Sequence, residues 1–198
     1  MNLRRVYLAR RNPELTREAF RARWIEHHVL GRRFPELTHH YTRCDYCAVV
    51  GPDEYDAVGF LWLRGEESLH MRLRDADAAP TMHADEARVF SRPVFETALV
   101  ARTHGPQGVG KARVIAFLRR RADLSRAGFD AALLAEPQAG RPETRGTVIG
   151  TPTLACDGII EVAFDSLAEA RRFDFQPPAC AAPDPIVVRA ESILAWTA

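Results

Sequence analysis

Two histidines close an apolar helical stripe early in this chain. Phe20, Trp24, His27 and His28 step by four, seven and eight from the first residue, so they share one side of an α-helix. An imidazole at the end of such a stripe can present its ring to a cleft and titrate near neutral pH, which suits general acid–base work on a carbonyl or enol. His28 is therefore a candidate catalytic residue. Further on, Tyr41 stands with His39 and His40 at the opening of a predicted strand over about 39–50. A phenol there can donate to a developing oxyanion. Side chains alternate along a strand, so only one of the two histidines faces the interior, and the pattern leaves open which. Glu161 is the third candidate. It lies in an otherwise apolar strand, in phase with Ile159 and Ala163 and out of phase with Ile160, Val162 and Phe164. The second set suits a helix-covered face, so Glu161 points to the opposite side. There it needs Arg43, Arg10 or another cation as a partner, or it serves as a base.

Several chemistries find no support in the sequence. Cys44 and Cys47 are three apart in a predicted strand and face opposite sides, and no second Cys pair or His pair accompanies them, so no metal site is expected. His83 is a lone histidine without a CxxCH, which leaves haem unsupported. Nucleophile elbows, P-loops, dinucleotide fingerprints and HExxH are missing. A reaction without cofactor follows as the expectation. Lys and Arg number 27 against 26 Asp and Glu, with the signs interspersed, so neither nucleic acid nor an anionic membrane is an expected partner. Four cysteines show no disulfide-framework density, and Met1–Arg5 runs straight into an amphipathic strand without a signal-like apolar run, so the expected location is cytoplasmic.

These residues are held by elements that occur twice. Val6–Phe20 lies over Ile115–Phe129 without a gap, each reading as strand, basic turn and helix start, with Thr16 or Ser125 at the N-cap. Tyr55–Leu63 lies over Cys156–Phe164, another strand. Between the copies, His104–Lys111 is a Gly/Pro cluster without periodicity. The chain thus divides into 1–104 and 105–198, each a βαββαβ unit of the ferredoxin-like kind. Val58, Phe60 and Trp62 share one side of the third strand while Ala57, Gly59, Leu61 and Leu63 share the other, so neither side is polar. A second sheet must cover one of them. Two such sheets close into a barrel of about eight strands that encloses side chains or one small ligand. The predicted fold class is α+β, an intrachain pseudo-dimer whose interior draws on Trp62, Phe60, His40 and Arg43 for substrate contact. Further homodimerisation stays open. All seven histidines and all four tyrosines precede Gly105, so the first copy is expected to own the site.

Leu15–Phe20, Trp24 and His28, then Pro35–Leu37 and Tyr41, then Tyr55-Asp56, then Asp85–Arg88 with Phe90, resemble EthD-domain proteins in order and spacing. The resemblance covers about residues 3–102, and the second copy looks like a weathered version. It implies a dimeric α+β barrel, a superfamily that includes cofactor-free monooxygenases, lactone isomerases, polyketide cyclases, decarboxylases, haem peroxidases and proteins of no known activity. It also implies a helix histidine at His28, replaced by Pro137 in the second copy, a tyrosine at Tyr41, and an acidic strand position that is Phe60 in the first copy and Glu161 in the second. The expected function is cofactor-independent acid–base chemistry on a small hydrophobic or aromatic carbonyl compound, of isomerase, cyclase or decarboxylase type. The alternatives are a non-catalytic small-molecule carrier and a cofactor-free or haem oxygenase.

Overall fold

Strand pairing is antiparallel throughout and closes on itself. The computed structural model describes residues 2–50, 54–70, 77–105, 110–135, 143–150 and 152–197. Eight strands, β1 (Asn2–Ala9), β2 (Tyr41–Val49), β3 (Ala57–Leu63), β4 (Ala98–His104), β5 (Ala112–Leu118), β6 (Glu143–Ile149), β7 (Gly158–Phe164) and β8 (Ile186–Thr197), form a barrel in the order β1-β3-β2-β8-β5-β7-β6-β4. β4 pairs back to β1. The first four strands therefore run β4-β1-β3-β2 and the last four β8-β5-β7-β6, the same order shifted by four, joined through β2·β8 and β4·β6. Closure leaves no free sheet edge.

Local contacts repeat between the halves. Asp56 Oδ2 accepts the backbone N–H of Arg11 and Asp157 Oδ2 that of Arg120, both at 3.0 Å. Thr16 and Ser125 each accept an amide three residues on, at 3.1 Å, which starts helices α1 (Arg17–Gly31) and α4 (Arg126–Ala135). The remaining helices are α2 (Pro35–His40), α3 (Ala78–Val89) and α5 (Leu167–Arg172). A 3-10 turn at Glu66–His70 follows β3.

The apolar strand faces sort as the alternation requires. Val58 and Phe60 join Val6, Leu8, Leu99, Ile115, Phe117, Val148, Ile159 and Val188 in a cluster drawn from the strands' inner faces, which fills the barrel. Ala57 and Leu61 face outward, with Tyr7, Phe20, Trp24, Tyr46 and Phe90, in the layer beneath the helices of the first half. A third cluster, with Phe129, Leu133, Ile160 and Val162, does the same for the second.

One end of the barrel interior is charged. Glu161 is on the inner face with Ile159, ion-paired to Arg4, and 3.3 Å from Arg113. Arg113 also reaches Asp45 at 2.9 Å, and Asp45 accepts the Trp62 indole N–H at 2.6 Å and meets Arg43 at 3.3 Å. Arg4, Asp45, Arg113 and Glu161 are all buried. Burial works against the charge on Arg113, but Cys47, Glu161 and Asp45 outweigh it, so its pKa lies above the ordinary arginine value. Arg4 stacks over Phe60 and Trp62, at 5.1 and 4.7 Å, and Arg113 over Phe60 at 5.3 Å.

Candidate functional site

The barrel interior is thus occupied by side chains, and the space near the histidines lies on the other side of the sheet. A cleft of about 190 Å³ opens between the outer face of β1–β3 and helices α1, α2 and α3. Tyr7, Tyr41 and Leu61 form its sheet side, and His27, His28, Leu37, Met82, His83 and Glu86 its helix side. All its lining residues precede Gly105. A second groove of about 350 Å³, shared at His83 and Glu86, continues past Phe90 to Arg92 and the exposed Phe95.

An aromatic slab sets the positions of the cleft groups. Trp24 stacks on Tyr46 with centroids 4.6 Å apart and 8° between planes, and on Tyr7 at 5.9 Å. Gly59 pairs with Tyr7 across one ladder and with Tyr46 across the other. A Cβ at Gly59 would lie 2.2 Å from Tyr7 Cζ, so only glycine lets that ring lie across the strand and reach the cleft.

Tyr41 reaches the cleft through a bulge. Asp45 and Cys47 face the interior, so strict alternation would send Tyr41 there as well. The β2–β3 register shifts between Tyr41 and Arg43, which turns Tyr41 outward with Leu63, Leu37 and Leu61. Its hydroxyl accepts from Arg5 Nη1 at 3.3 Å, which leaves its own proton free to be donated elsewhere. Burial raises the Tyr41 pKa, with Arg5 opposing and Cys44 assisting, so it is a protonated donor at neutral pH. Tyr7 is raised further by burial, then by Cys44, Glu86 and Tyr41.

His28 is in the cleft wall but not as the titrating group its sequence position suggested. The Trp24 indole N–H, which can only donate, bonds His28 Nε2, and so assigns the proton of the neutral ring to Nδ1, 3.1 Å from Cys44 Sγ. Burial, and then the neighbouring His27, push the His28 pKa down to about 3. It is a neutral, hydrogen-bonded ring at physiological pH. Cys44 is no nucleophile either, since burial and Asp45 hold its thiol well above the ordinary value.

The other expected site residues are elsewhere. Glu161, Phe60, Trp62 and Arg43 belong to the barrel interior, where the two aromatic rings serve as faces for guanidinium groups and Glu161 is a counter-ion of Arg4 and Arg113. Arg10, weighed as its partner, pairs with Glu54 instead. His39 and His40 are in α2, because Pro35 at the first turn starts a short helix that delays the strand to Tyr41. His40 Nδ1 meets Ser68 Oγ at 3.1 Å and does not line the cleft. Pro137 lies outside the described residues.

One polar pair spans helices α1 and α3. His27 Nδ1 is 2.8 Å from Asp85 Oδ2, and Arg23 Nη2 is 3.2 Å from Asp85 Oδ1. No local spacing selects a partner 58 residues away.

Among the described residues no group of three or more His, Cys, Asp or Glu could hold a metal ion, and no helix is long and apolar enough to cross a membrane. His28 has neither ring nitrogen free for iron.

No family model matches the chain, and no curated protein does. Solved structures do. An anthrone oxidase-like protein aligns over 98% of this chain and 92% of its own at 12% identity, TM-score 0.53. A provisionally assigned monooxygenase from Lactobacillus acidophilus NCFM aligns over 98% and 94% at 14% identity, TM-score 0.54. A provisionally assigned chlorite dismutase aligns over 98% and 96% at 11% identity, TM-score 0.52. At these identities the likeness is one of fold, and the fold is the dimeric α+β barrel, here closed within one chain.

Proposed function

We propose that this chain is an EthD-like tandem of two ferredoxin-like units. Its first half carries a cofactor-independent active site for a small hydrophobic or aromatic carbonyl compound. The duplication is supported by the repeated strand order and by the matched Arg11–Asp56 and Arg120–Asp157 contacts. The reaction class is acid–base, of isomerase, cyclase or decarboxylase type. One observation carries it: an Arg5-held, protonated Tyr41 hydroxyl in a cleft whose apolar wall includes Leu37, Leu61 and Met82.

A flat carbonyl compound between those apolar walls receives the Tyr41 O–H at its oxygen. That donor strengthens its bond as the oxygen gains charge, and the dry surroundings raise its worth. Neutral His28, fixed by Trp24, adds a stacking surface without a competing charge. A cavity of about 150 Å³ accommodates benzene, so about 190 Å³ suits a substituted ring, with the adjoining groove for further rings.

An oxygenase without cofactor is the second reading, favoured by the names of the anthrone oxidase-like and monooxygenase structures. The enolate of an aromatic ketone is the species that dioxygen attacks, so both readings share the first step. Incubating the protein with anthrone separates them. Methylene hydrogen exchange without oxygen uptake supports the isomerase class; oxygen uptake with quinone formation supports the oxygenase. Binding by tryptophan fluorescence without either supports a carrier. No binding, or binding unchanged in Leu61→Trp, refutes the cleft as the site.

A further inference from the structure

If the cleft does acid–base chemistry, some group in it must take a proton, and the neighbours eliminate most candidates. Both nitrogens of His28 are engaged. Tyr7, Tyr41 and Cys44 all hold their protons. Glu86 accepts the backbone N–H of Val94 at Oε1, at 2.7 Å, and keeps its second oxygen. His27, His83 and that oxygen are left.

His27 is the imidazole backed by a carboxylate. A carboxylate accepts and does not donate, so the 2.8 Å contact with Asp85 puts the proton of neutral His27 on Nδ1 and leaves Nε2 with its lone pair. Asp85 is itself held, its second oxygen 3.2 Å from Arg23. Phe90 meets the imidazole edge-on at 5.7 Å and 89°, which restricts its plane. Both side chains are mostly sheltered, 12% exposed for His27 and 13% for Asp85. A base whose other nitrogen is fixed by an anchored carboxylate is the arrangement that proton abstraction needs.

We propose, resting on the acid–base reading of the cleft, that His27 Nε2 is its proton acceptor and that Asp85 is the positioning residue that fixes its tautomer. The substrate class follows: a carbonyl compound with an acidified C–H next to, or conjugated with, the carbonyl. The C–H proton moves to Nε2 and the bond's electron pair becomes the enolate, whose oxygen takes the Tyr41 hydrogen bond. Return of the proton to the same or another carbon gives exchange or isomerisation. No oxidant or reductant is consumed.

The test is exchange of the anthrone methylene hydrogens in heavy water, followed by proton NMR on the full chain with the buffer rate subtracted. A general base contributes about 10²–10⁴-fold, so His27→Ala and His27→Gln lose at least about 100-fold. Added imidazole restores part of the rate in His27→Ala, which a purely structural histidine would not permit. Asp85→Asn lowers the rate while anthrone binding holds, and the imidazole ¹⁵N spectrum of His27 loses its Nδ1-protonated pattern. His39→Gln, exposed and outside the cleft, keeps the wild-type rate. Exchange at the background rate in the wild-type protein overturns the acid–base reading and this assignment together. Wild-type exchange that survives in folded His27→Ala, or is lost instead in His83→Gln or Glu86→Gln, overturns the assignment alone.

Discussion

Replacing Glu161 with Gln tests whether the charged end of the barrel is a structural joint. Glu161 is on β7 of the second half, and its side chain is 1% exposed, with one oxygen on Arg4 of β1 and the other 3.3 Å from Arg113 of β5. Asp45 of β2 answers from the first half with its 2.9 Å contact to Arg113. Two buried guanidiniums face two buried carboxylates, and the Arg4–Glu161 and Arg113–Asp45 pairs both cross between halves. Gln keeps the volume and one acceptor, so the change removes charge without opening a cavity. Asp45 would then face two buried guanidiniums alone. Breaking a buried pair by removing one partner costs about 3–5 kcal/mol. For a chain of this length about 1 kcal/mol moves Tm by about 2–4 °C, giving a fall of roughly 6–20 °C. Urea unfolding followed by fluorescence measures it, with m unchanged if the native structure persists. The double variant Arg4→Met with Glu161→Leu recovers much of the loss, since an apolar pair is often as stable as a buried ionic one. Anthrone binding at the cleft, on the opposite side of the sheet, stays at the wild-type level. A Glu161→Gln midpoint within about 1 kcal/mol of wild type would refute the joint, because surface-like pairs contribute that little.

Three other outcomes follow from the cleft. Gly59→Ala forces the Tyr7 ring away from its 2.2 Å conflict, costing about 1–3 kcal/mol of stability and weakening anthrone binding, as fluorescence titration will register. Tyr41→Phe removes the oxyanion donor and lowers the anthrone exchange rate about 10²–10³-fold with little change in binding; an unchanged rate would remove Tyr41 from the mechanism. His28 binds its proton in the unfolded chain near 6.5 but in the folded protein only near 3, so its contribution is full above pH 6.5 and is lost as pH falls from 6.5 toward 3. That gap corresponds to roughly 5 kcal/mol, and His28→Gln should flatten the decline in urea midpoint between pH 7 and 4.

Period and phase were legible in the sequence where a residue's face follows from its own strand or helix. Val58 and Phe60 went inward and Ala57 and Leu61 outward because β3 has no bulge, and Glu161 could be assigned to the interior by the same count. Thr16 and Ser125 cap because their partners are three residues away. Tyr41 defeated the count, since one irregularity in β2 reverses the face of everything before it. His39 and His40 were misassigned because a six-residue helix starting at Pro35 has too few turns to display a period. Partners set by closure were out of reach altogether: Arg4 and Glu161 are 157 positions apart, and no local pattern selects Arg4 over Arg10 or Arg43.

The two faces of one sheet explain why the expected site came apart. A closed barrel of eight strands has an interior about wide enough for its own side chains, and Phe60, Trp62 and the four buried charged groups occupy it. Charges in that space must neutralise one another, so Glu161 with two arginines is fixed as a counter-ion. On the outer face a helix rests on side chains of unequal size, and a gap is left beside Gly31, bounded by Tyr7 and Tyr41. Half-sheltered groups there, His27 and Asp85 among them, keep contact with solvent through which a proton can be exchanged. Polar residues inside the barrel thus join the halves, and those beneath the helices are available for chemistry.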